Sequence, residues 1–131
     1  MLKSAYDSRQ YNHIELANGL RILLMQDPNY VKSACSVAFN TGHFNDDKDW
    51  HGISHLLEHM LFLDSNEFTE PNAFNDFIAT HGGSINAFTG TEYSSYFYEI
   101  EAEYEQQVLT HLYAMLRKPS FCEALIERRI N

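Results

Sequence analysis

The stretch Ile53-Ser54-His55-Leu56-Leu57-Glu58-His59-Met60-Leu61-Phe62-Leu63 decides how the rest of the chain is read. Its apolar and functional positions recur at three- and four-residue spacing, which predicts an α-helix. At about 100° per residue, His55, Glu58 and His59 emerge within an arc of about 100°, so one site can hold all three. Ile53, Leu56, Leu57, Met60, Leu61 and Phe62 surround them, and the helix reads as apolar nearly all round and therefore buried. Burying two imidazoles and a carboxylate without partners costs several kcal/mol, so these three residues need a purpose.

Two imidazoles one turn apart suit a tetrahedral zinc ion, with bonds of about 2.0–2.1 Å to nitrogen. Zinc supplies water of lowered pKa and polarises a carbonyl, while a glutamate that is not a ligand accepts the water proton and passes it to a leaving amine. The order H-x-x-E-H is the inverzincin arrangement, the reverse of H-E-x-x-H. The readings are therefore His55 and His59 as metal ligands and Glu58 as the catalytic base.

Outward from this helix the pattern is α+β. On its N-terminal side, His13 to Ala17 and Arg21 to Gln26 read as strands of a hairpin around Asn18-Gly19, and Ser33 to Phe39 alternates as a third strand. On its C-terminal side, Pro71 opens a helix to Thr80 carrying Phe74, Phe77 and Ile78 on one face, stopped by His81-Gly82-Gly83. Ser84 to Phe88 and Glu92 to Glu101 read as two strands joined near Gly90, with Tyr96, Tyr98 and Ile100 on a shared face. Glu103 to Arg117 places Val108, Leu109, Leu112 and Leu116 at helical spacing until Pro119 breaks it. Ser120 and Glu123 form a capping box that opens a last helix to Asn131, which carries no stop signal. The prediction is a mostly antiparallel sheet of about five strands with the helices on one face.

A chain of 131 residues, 44% hydrophobic and 21% charged, is globular in composition and long enough for one domain with a core. No segment reaches the roughly 18–20 apolar residues of a membrane span. Nine basic against eighteen acidic residues give a formal charge of −9, which repels phosphate backbones and anionic lipid, so neither nucleic acid nor membrane is an expected partner. The first 25 residues show no apolar run followed by a cleavage site; taking Met1 as the natural start, the expectation is a cytoplasmic protein. Cys35 and Cys122 lack metal-type spacing and read as free thiols, with a ligand role for Cys122 the alternative.

The segments NGLRILLMQDP at 18–28, KSACSVAFNTGHFND at 32–46, GISHLLEHMLF at 52–62, PNAFNDFIATHGGSINAFTGTEYSSYFYEI at 71–100 and PSF at 119–121 together resemble the M16 zinc peptidases of the insulysin and pitrilysin type. The likeness runs nearly end to end. It implies the M16 fold, also seen in LuxS-like metallohydrolases, and zinc held by His55 and His59 with Glu58 as base. It further implies that Asn86, Ala87 and Phe88 lie along a bound peptide, adding it to an open strand edge, and that Phe62 walls a side-chain pocket. Core packing is the competing reading for Phe62 and Phe88. The family's third ligand, a glutamate on a later helix, is expected about five positions past Asn131; a nearby position that is usually acidic carries Arg129. The family's larger chains imply further M16 domains beyond residues 1–131, which read as an incomplete catalytic domain without activity of its own.

 The resemblance leaves peptide as the substrate class and the remaining M16 domains as the expected partners, with self-association of the cut surface around Phe121, Leu125 and Ile126.

Other third ligands within the chain are Glu92, His43, His51, His81 and Cys122, each read as structural or solvated. Two further readings stay open. A metal lyase resembling S-ribosylhomocysteinase uses an HxxEH helix with a cysteine as third ligand, which is the role Cys122 would take. A non-catalytic M16 homologue acting as an assembly subunit typically loses the motif that stands here at His55, Glu58 and His59.

Overall fold

The structure, a computed structural model, describes residues 3–62, 73–119 and 121. They divide into two compact units at Val31 and Lys32. The first unit is an antiparallel hairpin of β1 (Gln10–Glu15) and β2 (Arg21–Gln26), with Ile14 opposite Ile22. The chain turns around Asn18-Gly19, as its sequence predicts. Leu16 N–H donates to Leu20 O and Gly19 N–H to Leu16 O, so three residues, 17–19, form the loop. Gly19 takes a positive φ, 84°, the left-handed conformation that three-residue hairpin loops commonly place on a glycine.

The second unit contains β3 (Lys32–Phe39), α1 (Ile53–Leu61), α2 (Ala73–Thr80), β4 (Ser84–Thr89), β5 (Ser94–Glu101) and α3 (Glu105–Arg117). Its strands form an antiparallel sheet in the order β3-β5-β4. All five predicted strands exist, but they belong to two sheets rather than one. Alternation identifies which residues form strands; pairing depends on contacts between distant segments, which alternation does not encode.

One face of the three-stranded sheet carries the core. Tyr96, Tyr98 and Ile100 of β5 are buried with Leu61 of α1, Ile78 of α2 and Val108, Leu112 and Met115 of α3. Cys35, Val37, Ile85 and Ala87 pack on this cluster from the same sheet face, so all three helices lie on one side. The Tyr98 hydroxyl donates to Glu105 Oε1 at 3.0 Å, joining β5 to the first residue of α3. Burial and that neighbouring carboxylate push the phenol well above its usual range.

Two sequence readings of helix faces need correction. α3 turns Val108, His111, Leu112 and Met115 inward and leaves Leu109 partly exposed, because the inward stripe follows the i, i+3, i+4, i+7 rows and not simple apolarity. Likewise α1 is not buried all round: Glu58, Met60 and Leu61 are buried, while Ile53 and Leu57 are exposed. A single helix on one side of a sheet has only one face to bury. The predicted last helix lies outside the described residues, as do Cys122, Leu125 and Ile126.

Candidate metal centre

The site begins at the N-terminus of α1, whose first-turn N–H groups have no partners within the helix. Gly52, the N-cap, has φ 89° and no side chain to cap with. The cap comes instead from Asp46. Its Oδ2 accepts the Gly52 N–H at 2.7 Å, and its Oδ1 accepts the Ser54 N–H at 3.0 Å and the Ser54 hydroxyl at 2.5 Å. The Ser54 hydroxyl above all, followed by the two N–H groups, holds the Asp46 carboxyl at about 2, against the opposing effect of burial. His43 Nδ1 stands 3.6 Å from Asp46 Oδ2.

The loop that presents Asp46 is tied to the turn between β4 and β5. His43 N–H donates to Gly90 O at 3.0 Å and Phe44 N–H to Thr91 O at 2.9 Å. The approach is so close that a Cβ at Gly42 would collide with the Gly90 carbonyl oxygen and lie 2.8 Å from the Thr91 carbonyl. The start of α1 and the end of β4 are therefore held together through residues 42–46.

One turn into α1, His55 and His59 bring their Nε2 atoms to 3.1 Å. Both rings are solvent-exposed, whereas Glu58 between them is buried. Ligand atoms of all three lie within 4.8 Å of one another, the one such group among the described residues. Neighbouring ligands of a tetrahedral zinc stand about 3.3 Å apart for bonds of 2.0–2.1 Å, so the two imidazoles already have nearly the required bite. The donor set fits zinc.

Glu58 has a partner from β4: the Thr89 hydroxyl donates to Oε2 at 2.5 Å. The buried Tyr96 phenol is raised by burial and by the nearby Glu58 carboxylate. Phe62 caps the C-terminus of α1, half-buried, with its ring 6.2 Å from Tyr96. Asn86, Ala87 and Phe88 lie on β4, an outer strand of its sheet among the described residues. Asn86 Oδ1 accepts the Ala87 N–H at 2.9 Å, Ala87 packs on the core, and exposed Phe88 meets Tyr93 edge-on at 5.3 Å between centroids.

Among the described residues, the other candidate ligands, Glu92, His43, His51 and His81, are not part of this group, and Cys122 lies outside the described residues. The His43 ring lies 6.3 Å from that of His55. His81 is engaged elsewhere, with Nδ1 at 2.7 Å from Phe77 O and its ring against Tyr104 at 4.1 Å. Cys35 is a free thiol whose pKa burial raises. Sequence reasoning passed over Asp46 and Thr89. Asp46 left a faint signal, an acid shortly before a helix that has serine in its first turn; Thr89 left none, because only the register of β4 brings it to Glu58.

The family model described as Insulinase (Peptidase family M16) matches residues 21–131. The insulin-degrading enzyme of Bos taurus is 34% identical over 131 residues, covering 100% of this chain and 13% of the relative. A peroxisomal insulin-degrading enzyme-like protein of Arabidopsis thaliana is 36% identical over 119 residues, covering 91% of this chain and 12% of the relative. Among solved structures, the crystal structure of pitrilysin superposes with a TM-score of 0.91 at 31% identity, covering 99% of this chain and 14% of that one. The chain thus spans about an eighth of the length of these curated relatives. With a zinc-compatible histidine pair on one helix and these relatives along its length, the chain belongs to the insulinase family of peptidases, family M16.

Proposed function

We propose that this chain is the N-terminal part of the catalytic domain of a zinc metalloendopeptidase that hydrolyses oligopeptides or small unfolded polypeptides. The observation that carries this reading is the His55–His59 pair, 3.1 Å between Nε2 atoms, beside the buried Glu58 carboxylate. Zinc held by the two imidazoles would supply a Lewis acid that acidifies water and polarises the scissile carbonyl. Glu58 takes the proton of the attacking water and delivers it to the amine that leaves as the peptide bond breaks. The water oxygen ends in the new carboxylate.

β4 supports a mode of substrate binding. It is an outer strand among the described residues, so an extended peptide can add along Asn86, Ala87 and Phe88 by main-chain hydrogen bonds, with Phe62 lining a side-chain subsite. The third ligand in this reading is a glutamate about five positions past Asn131, and further M16 domains of a longer chain complete the enzyme. With His55 and His59 alone, residues 1–131 hold zinc weakly and do not cleave peptide. The cytosol is the proposed compartment, although one relative's name is peroxisomal.

The test is made in the full-length peptidase. Glu58→Gln should keep zinc and lose peptide hydrolysis by about 100- to 10,000-fold, the range typical of general-base catalysis. Near-normal turnover by that variant excludes the mechanism.

A further inference from the structure

We propose that Thr89 is a positioning residue for the reaction, orienting Glu58 through the hydroxyl that donates to Oε2 at 2.5 Å. This rests on the reading of Glu58 as the base. A carboxylate on a sp³–sp² torsion turns over a broad range unless something holds it. Thr89 engages one oxygen, which makes the two inequivalent and leaves Oε1 as the atom that receives the proton.

Thr89 is well placed to impose this orientation. It is the last residue of β4, opposite Ser94 of β5, so the strand ladder fixes its backbone. As a β-branched residue it has few χ1 choices, so the hydroxyl direction is largely set before substrate arrives. Immediately beyond it, Gly90 N–H donates to Tyr93 O at 2.8 Å, and Gly90 O and Thr91 O receive the N–H groups of His43 and Phe44. From there Asp46 holds the first turn of α1. The hydrogen bond from Thr89 to Glu58 closes a ring of contacts running from β4 through the loop at 42–46 to α1 and back.

The experiment compares Thr89→Val, which keeps the shape and removes the hydroxyl, with Thr89→Ser, which restores it. In the full-length peptidase, Thr89→Val should lower kcat by roughly 10- to 100-fold, as expected for loss of a hydrogen bond to a charged group at the reacting centre. KM, zinc content and melting temperature should stay near wild type, and Thr89→Ser should recover most of kcat. Crystals of the zinc-free proteins should show one Glu58 carboxylate orientation in wild type and several in Thr89→Val. Turnover within about twofold of wild type in Thr89→Val overturns the proposal. So does loss of zinc or of the fold alongside turnover, since the hydroxyl then serves structure alone. If Glu58→Gln hydrolyses peptide normally, the fault lies with Glu58 as base and not with its positioning.

Discussion

The residues of the proposed centre differ in how far they can be read from sequence. His55, Glu58 and His59 were legible because helical geometry alone brings them together, and the structure places their ligand atoms within 4.8 Å. In the full-length peptidase, His55→Ala or His59→Ala should abolish zinc binding and turnover together, with metal content after dialysis as the measurement. Retention of stoichiometric zinc by either variant removes that residue from the ligand set. Thr89 was not legible, since it reaches Glu58 across 31 positions and only a strand register connects them. Gly42 is a further case. Its need for glycine arises from the carbonyls of Gly90 and Thr91, so Gly42→Ala should cost about 1–3 kcal/mol by overpacking. A melting temperature equal to wild type would show that the loop moves aside freely.

Among the elements, α1 shows how a helix can depend on a residue outside it. The Asp46 side chain is only 2% exposed, and its carboxyl sits at about 2 rather than the usual 3.8. Because the folded value is the lower one, ionised Asp46 stabilises the fold fully above about pH 4, and this contribution fades as pH falls through about 2. His43, 3.6 Å away, is the titratable partner facing it. Acid unfolding followed by circular dichroism should therefore contain a component between these values that Asp46→Asn removes. An unchanged acid transition in Asp46→Asn would rule out this origin. The other elements were legible to within a few residues because their periods are clear. β3, β4 and β5 alternate, and α2 stops at His81 to Gly83, where Gly83 N–H donates to Ile78 O. The inward face of α3 was not legible because it depends on packing that composition does not specify.

At the scale of the molecule, the sheet has a core on one face and leaves Phe88 and Phe97 partly exposed on the other. Phe121 is also exposed. Residues 1–131 on their own should therefore self-associate at high concentration, as seen by light scattering. A strict monomer would count against this. The α+β class and the one-sided arrangement of helices were legible from pattern, whereas the division into two sheets was not, because pairing is a property of the folded chain. The cap from Asp46 and the tie between residues 43–44 and 90–91 also bear on protein design. HxxEH looks portable as a string of letters, but a peptide of residues 53–62 lacks both its cap and the partner of its glutamate. Grafting this centre onto another scaffold would require transplanting the segments 42–62 and 84–95 in their native relation, which makes the unit of inheritance a small tertiary assembly, with the five-letter motif as only its visible part.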